Sequence, residues 1–175
     1  MWDGRRSESA FSTLLVKEAE PAMYEILFSA INIAVFPAWL LLLFAPGWRW
    51  TGPVVHTALV PLALGAVYLG FLTLGIVFGQ SDPEAGMSSL AAVQALFSHP
   101  VGLLTGWVHF LAFDLFVGAW ISRDARRRGV ARALVVPSLI LAFLFGPTGL
   151  LLYLIGRKLT GKAGWSLDES GQVVA

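Results

Sequence analysis

The sequence predicts an all-α polytopic membrane protein, in which four transmembrane helices form a bundle and a short interfacial helix precedes the third span. Of the 175 residues, 57% are hydrophobic and only 13% are charged, whereas soluble globular domains carry roughly 25% charged residues. Several apolar runs approach the ~20 residues that a helix needs to cross the hydrocarbon core of a bilayer. These runs contain prolines and show no strand-length alternation, which excludes a sheet. The chain has no cysteine, so disulfides and thiol nucleophiles are excluded.

The first span is predicted at about residues 24–45, after a polar tail at the membrane surface, residues 1–23, with charges of both signs. Roughly 22 residues rise about 33 Å as a helix, which is enough to cross the core. Pro37 removes a backbone donor near mid-depth and predicts a kink. Asn32 lies in the same run, where its amide either forms an interhelical hydrogen bond or contacts a ligand.

The second span is predicted at about residues 54–78, and a long connection, residues 79–99, leads from it to the third span. Pro83 and Gly86 indicate a turn early in this connection. After the turn, apolar residues recur at helical spacing in SSLAAVQALF, the pattern of a short amphipathic helix in the membrane interface. Such a helix would roof a cavity between the spans, and a plain connector is the alternative.

The third span, about residues 101–121, contains the two most informative side chains, His109 and Asp114. An ionisable side chain at membrane depth is costly, so its default interpretation is functional. The two residues are five positions apart, which places them about 140° apart around the helix and about 7.5 Å apart along its axis. They therefore do not form an i, i+4 pair. The alternative is a polar clamp, in which both groups hold neighbouring helices together by hydrogen bonds.

The fourth span is predicted at about residues 134–155 and is followed by a polar tail, residues 157–175. The sequence FGPTG at residues 145–149 interrupts this span, and irregular backbone at membrane depth is tolerated only where protein or a cavity satisfies it. The loop before this span, residues 122–133, holds five arginines. Four spans place both termini on one side, and the positive-inside rule then predicts the arginine loop in the cytoplasm and both termini outside.

The spans carry a recognisable set of polar, aromatic and proline positions. These are Asn32, Pro37-x-Trp39, Pro46, Trp107-x-His109, Asp114-Leu115-Phe116, Asp124 and Phe145-Gly146-Pro147. Over roughly residues 24–157, this set resembles the abscisic-acid-deficient-four-like family, whose members are small four-helix membrane proteins. Plant members of that family are needed to make neoxanthin from violaxanthin.

The resemblance implies an isomerisation in which an epoxide opens while a proton leaves a neighbouring carbon, giving an allene and an alcohol. Such a step needs an acid near the epoxide oxygen and a base near the departing proton. Removal from water favours the neutral form of either group, so Asp114 would serve as the acid and His109 as the base. The polar and aromatic residues predicted to bind the substrate are Asn32, Trp107, Phe113 and Asp124.

A non-catalytic membrane subunit that binds a carotenoid or a partner membrane protein is the alternative function. The expected partners are membrane lipid and a carotenoid or other apolar polyene, with the chain acting as a homo-oligomer or within a larger membrane complex. The net charge of +1 argues against nucleic acid. We expect no cofactor and no metal, because the three histidines form no local cluster. The short, acid-bearing N-terminus is unlike a plastid transit peptide, so we expect a bacterial inner membrane protein.

Overall fold

The computed structural model describes the backbone of residues 4–162 and 164–167, and the side chains from residue 21 onward. Every regular element in these residues is a helix, which confirms the predicted all-α fold. In chain order the helices are α1 (Gly4–Phe44), α2 (Thr51–Val55), α3 (Leu59–Ile76), α4 (Leu90–Ser98), α5 (Pro100–Arg128), α6 (Arg132–Phe145) and α7 (Pro147–Leu159). Much of the tail predicted at residues 157–175 lies outside the described residues.

Helix α1 is much longer than the first predicted span, because it begins at Gly4. Residues 4–20, which the sequence assigned to a polar tail, extend this helix toward the N-terminus. After Gly4 the segment contains no proline or glycine, so helix propensity alone permits the extension without an apolar stripe. The part of α1 with the composition of a membrane span is Pro21–Phe44, which has 24 residues.

The second span, Thr51–Ile76, is 26 residues long and is interrupted between α2 and α3 at residues 56–58. Pro61 has no backbone N–H, and its ring disfavours helical backbone four residues earlier, which accounts for the interruption. Helix α3 then packs antiparallel to α5. Tyr68 lies beside His109, with ring centroids 6.0 Å apart.

The predicted short helix before the third span is present as α4. The Ser89 hydroxyl caps it by accepting a hydrogen bond from the Ala92 backbone N–H at 3.1 Å. The helix folds back over the start of α5, where Phe97 lies so close to Gly106 that a Cβ there would contact its ring. Helix α4 therefore covers a cavity at the start of the third span, which matches the first of the two alternatives for this connection.

The hydrophobic core lies along α5, which runs 29 residues through the centre of the molecule. Trp39 of α1 is 2% exposed and lies against Gly118, where a Cβ would sit 2.7 Å from the indole ring. The same indole meets Phe143 of α6 edge-on, with ring centroids 5.3 Å apart. A single bulky side chain thus joins α1, α5 and α6, and only glycine at position 118 leaves room for it.

The fourth predicted span consists of two helices, and the break lies at the FGPTG sequence, where an interruption was expected. Helix α6 ends at Phe145, Gly146 adopts a φ of 46°, and α7 begins at Pro147. A positive φ is readily adopted only by glycine, and proline fits the first position of a helix because its N–H would have no partner there. The Gly-Pro pair therefore reverses the chain instead of merely kinking it.

Helices α6 and α7 form an antiparallel hairpin. A Cβ at Gly149 would run into the backbone of Ser138 and Ala142, and a Cβ at Gly156 would meet the Leu134 side chain 2.5 Å away. In a continuous helix, residues 134 and 156 would be about 33 Å apart. Among the described residues, three segments have the length and composition of a span, and this hairpin is not one of them.

The hairpin changes which ends of the chain lie together. Arg157, near the end of α7, forms an ion pair with Asp124, near the end of α5. The Arg126 guanidinium donates to the Pro46 carbonyl at 2.9 Å, so the end of α1 lies there too. The prediction that both termini lie on one side of the membrane requires the last segment to cross it. In the hairpin, α7 instead returns to the end of the bundle that carries the arginines of residues 122–133, here called the arginine-rich end. This end is opposite Pro21, where the first span begins.

Candidate functional site

The Asp114 carboxyl lies against the tip of the hairpin. A Cβ at Gly146 would sit 2.5 Å from the Asp114 Oδ1 atom, so the close approach requires glycine there. Helix α7 begins at the next residue, Pro147, so Asp114 lies beside the start of that helix. Asp114 is half-buried. The hairpin thus closes over a carboxyl group near the middle of the third span.

His109 faces a different part of the molecule, a cavity of about 520 Å³ between α3, α4 and α5. His109 and Phe110 line the end of this cavity that lies deepest along α5. The imidazole packs on the Phe113 ring, with centroids 4.6 Å apart and an interplanar angle of 35°. No hydrogen bond to the His109 side chain occurs within the described residues, which leaves the imidazole available to a ligand.

Two phenylalanines separate His109 from Asp114 on the surface of α5. Measured from His109, helical geometry places Phe113 at about 40°, Phe110 at about 100° and Asp114 at about 140° around the axis. Phe110 is 56% exposed and Phe113 is 59% exposed. Helical rise separates His109 and Asp114 by about 7.5 Å along the axis. A ligand lying across this aromatic surface would therefore reach both groups, although Asp114 does not line the His109 cavity.

Asn32 and Trp107, both predicted to bind substrate, bond to each other. The Trp107 indole N–H donates to the Asn32 Oδ1 atom at 3.2 Å, and the Asn32 amide donates to the Phe28 carbonyl at 2.7 Å. The Phe28 and Trp107 rings pack with centroids 5.4 Å apart. These contacts match the interhelical alternative for Asn32, because they tie α1 to α5.

Asp124, also predicted to bind substrate, is fully buried at the open end of the hairpin. One carboxylate oxygen accepts from the Tyr153 hydroxyl at 2.7 Å and from Arg157. The other accepts from the Arg128 Nε–H at 2.8 Å. These contacts are typical of a structural residue, because both carboxylate oxygens are already engaged by the protein.

Tyr153 and Arg157 are the residues that the sequence analysis missed. Arg157 is fully buried, and its guanidinium also donates to the backbone carbonyls of Gly164 and Ser166 while stacking 5.4 Å from the Trp120 ring centroid. Arg157 directly follows an apolar run, which suggested only a helix end at the membrane surface. The pairing with Asp124 depends on the hairpin, so no local pattern indicates it.

Among the side chains that the structure describes, in residues 21–162 and 164–167, no group of three or more histidine, aspartate and glutamate residues comes close enough together to hold a metal ion. Imidazole and carboxyl groups can both take part in proton transfer. His109 presents an imidazole to an apolar cavity, and Asp114 presents a carboxyl group beside the hairpin tip.

A family model described as ABA DEFICIENT 4-like matches residues 26–153. The chain belongs to the ABA DEFICIENT 4-like family. Among characterised proteins, it is similar to Protein ABA DEFICIENT 4, chloroplastic, from Arabidopsis thaliana, with 23% identity over 139 residues. That alignment covers 75% of this chain and 60% of the plant protein. No solved structure matches the chain.

The ABA DEFICIENT 4-like match includes every predicted site residue from Asn32 to Asp124, as well as the hairpin tip. It ends at Tyr153, so it stops just before Arg157. The family match and the apolar helices together identify a helical membrane protein. The region that it shares with the family is the region that contains these apolar helices.

Proposed function

We propose that this protein binds a carotenoid or a similar polyene lipid in the membrane and isomerises it by acid–base chemistry without a cofactor. The observation that carries the proposal is the open aromatic surface of α5 between His109 and Asp114. Membership of the ABA DEFICIENT 4-like family supports the substrate class. The chain spans about 60% of the plant relative, so activity and substrate are inferred for this chain from its own site.

The cavity beside His109 suits the end of a long apolar ligand. Its volume of about 520 Å³ lies within the ~300–1,000 Å³ range of small-ligand sites. Its lining is mostly apolar, so a hydrocarbon ring would lose little by leaving the lipid. Phe110 lines the end of the cavity, and Phe113 lies beyond it along α5. A polyene chain would pack on the exposed faces of these two rings.

The proposed step is an isomerisation, so its atoms balance without a co-reactant. The Asp114 carboxylic acid gives its proton to an epoxide oxygen as the carbon–oxygen bond breaks. The neutral His109 imidazole removes a proton from the neighbouring carbon, and the electron pair of that bond forms the new double bond. The step requires that each group starts in its neutral form. Proton return from His109 to Asp114 restores both groups.

The test is pigment analysis in a bacterial host engineered to accumulate xanthophyll epoxides. We expect a new product with the wild-type chain and a loss of about 10²–10⁴-fold in its formation with Asp114→Asn or His109→Ala. His99→Asn is the matched control, because His99 caps the start of α5 and asparagine also caps helices. Full turnover by both Asp114→Asn and His109→Ala would contradict the proposal.

A non-catalytic carotenoid-binding subunit is the second candidate. The observation that favours it is that His109 and Asp114 lie on different faces of α5 and that Asp114 does not line the His109 cavity. This function predicts that carotenoid co-purifies with the protein while the pigment profile of the host stays unchanged. It also predicts that His109→Ala lowers the bound pigment and that Asp114→Asn does not.

We also propose that the arginine-rich end of the bundle faces the cytoplasm of a bacterial inner membrane. Arg49, the arginines of residues 123–132, Arg157 and Lys158 all lie toward this end, because the hairpin brings α7 back to it. Short loops facing the cytoplasm carry an excess of lysine and arginine. The N-terminal end of the first span, at Pro21, would then face the periplasm.

A further inference from the structure

A second cavity, of about 480 Å³, lies between the α2–α3 joint and α5, toward the arginine-rich end. Its α5 wall is a stripe of residues four positions apart: Leu115, Ala119 and Arg123. At 1.5 Å per residue this stripe spans about 12 Å, from apolar depth to a charged rim. His56 lies on the opposite wall. The cavity is therefore amphipathic along the direction in which a lipid would lie.

The His56 imidazole in this cavity has unmet hydrogen-bonding capacity. Both ring nitrogens are shielded from solvent, and neither has a hydrogen-bond partner among the described residues. His56 ends helix α2, where its backbone N–H donates to the Gly52 carbonyl at 3.0 Å, so its position is fixed by the fold. Buried polar groups in native proteins nearly always have partners. A ligand that accepts a hydrogen bond from the imidazole would supply the missing partner.

The charged residues near His56 indicate the sign of the charge that such a ligand would carry. Among the described residues, Arg123 lines the same cavity as His56, and Arg123 and Arg126 both act on His56 as positive charges. The cavity rim is therefore electropositive, and it favours an anion. Arginine is especially suited to phosphate, because its planar guanidinium can donate two parallel hydrogen bonds.

We propose that this cavity binds an anionic phospholipid, with its phosphate between His56 and Arg123 and an acyl chain along the apolar wall. Leu115 is buried and Phe116 is 54% exposed, so the wall continues from the cavity onto the lipid-facing surface. The rim lies at the end of the spans, where phospholipid headgroups would be. A free phosphate ion would use the rim and leave the apolar wall empty. The site does not depend on the proposed isomerase activity.

The test compares full-length protein in nanodiscs of pure phosphatidylcholine with protein in nanodiscs that contain phosphatidylglycerol. The number of phosphatidylglycerol molecules retained through detergent extraction is counted by native mass spectrometry. We expect the wild type to retain one molecule. Arg123→Gln should lower the occupancy at least about tenfold, because it removes one charge-assisted hydrogen bond to the phosphate. Arg49→Gln is the matched control, because Arg49 is exposed at the same end and packs on Trp50.

A second measurement keeps the test decisive if Arg123→Gln folds poorly. His56→Gln removes the imidazole, and phosphatidylglycerol should raise the melting temperature of the wild type but not of this variant. Equal retention by wild type, Arg123→Gln and His56→Gln would overturn the proposal, as would equal losses with Arg123→Gln and Arg49→Gln. If inorganic phosphate stabilises the wild type as much as phosphatidylglycerol does, the site is for a free anion and the lipid assignment is wrong.

Discussion

Two aspartates on α5, ten residues apart, have opposite environments at the two ends of the hairpin. Asp124, at the open end, is fully buried and bonded to Arg128, Tyr153 and Arg157. Asp114, at the closed tip, is half-buried against the Gly146 backbone, and no hydrogen bond to its carboxyl group occurs within the described residues. The same residue type on one helix therefore serves structure at one end and is left available at the other.

This difference shows how the fold can hold the Asp114 carboxyl group within the membrane without a hydrogen bond from the described residues. The network around Asp124 fixes the open end of the hairpin, so the position of the tip does not depend on a bond to Asp114. A buried ion pair adds little net stability over apolar packing, but the loss of one partner leaves an uncompensated charge. The comparison therefore predicts large stability effects at Asp124 and small ones at Asp114.

Asp124→Leu should give the largest loss of stability, because it leaves the Arg157 guanidinium buried without its carboxylate. We expect the free energy of unfolding to fall by about 3–5 kcal/mol, measured by denaturant titration in detergent micelles. The double variant Asp124→Leu with Arg157→Leu should recover part of this loss, since apolar replacement of a whole buried pair is often neutral. A loss below about 1 kcal/mol for the single variant, the value for exposed pairs, would refute the structural role.

Gly146→Ala should cause the second-largest loss of stability, and Gly129→Ala is its control. Both glycines have positive φ angles, 46° and 61°. Gly129 has the ψ of a left-handed helix, 39°, where alanine should cost about 1–2 kcal/mol, whereas Gly146 has a ψ of −96° and a larger backbone cost. Only at Gly146 would the new Cβ meet the Asp114 carboxyl, since nothing lies within 4 Å at Gly129. We expect an additional loss of about 1–3 kcal/mol at Gly146. Shortening the carboxyl side chain with Asp114→Ala in the Gly146→Ala background should reduce that excess, and equal losses at both glycines would contradict the close tip.

Asp114→Asn should change the free energy of unfolding by less than about 0.5 kcal/mol, the range for substitutions that break no specific interaction. Asp124→Asn is the matched variant on the same helix, and it should cost several times more because Arg157 would lose its charged partner. Similar losses for the two variants would remove the distinction between the ends of the hairpin.

Asn32→Ala should also have a small effect, because it removes the hydrogen bond from the Trp107 indole at 3.2 Å. Interhelical hydrogen bonds in membrane proteins contribute about 0.6 kcal/mol on average. The double variant Asn32→Ala with Trp107→Phe should lose little more hydrogen-bond energy than either single variant. Additive losses in this cycle would show that the two side chains do not act as a pair.

The apolar runs were sufficient to predict the all-α membrane fold and the short helix α4, because burial in lipid and helical periodicity are local signals. The break at FGPTG was also visible, since Gly146 and Pro147 disfavour a continuous helix. Its consequence was not visible. A run of 22 apolar residues suits one span by length, and only tertiary contacts such as Gly149 against Ser138 decide that it folds back.

The candidate site was predicted in part for the same reason. His109 and Asp114 stand out because charge at membrane depth is rare, and helical spacing gives their angular separation. Asp124 was selected through the family resemblance, and its partners Tyr153 and Arg157 lie 29 and 33 residues away in the sequence. A local pattern identifies a buried charge but not whether the fold neutralises it. The assignment of Asn32 and Trp107 had the same ambiguity.

The most direct test of the hairpin is a cysteine-accessibility experiment, which the absence of native cysteine makes clean. Single variants Trp48→Cys, Glu84→Cys and Lys162→Cys place a thiol at three exposed positions, each labelled with a membrane-impermeant maleimide in intact cells and in inverted vesicles. The hairpin predicts that position 162 labels from the same side as position 48 and from the opposite side to position 84. Labelling of position 162 together with position 84 would show that the last segment crosses the membrane and would contradict the hairpin.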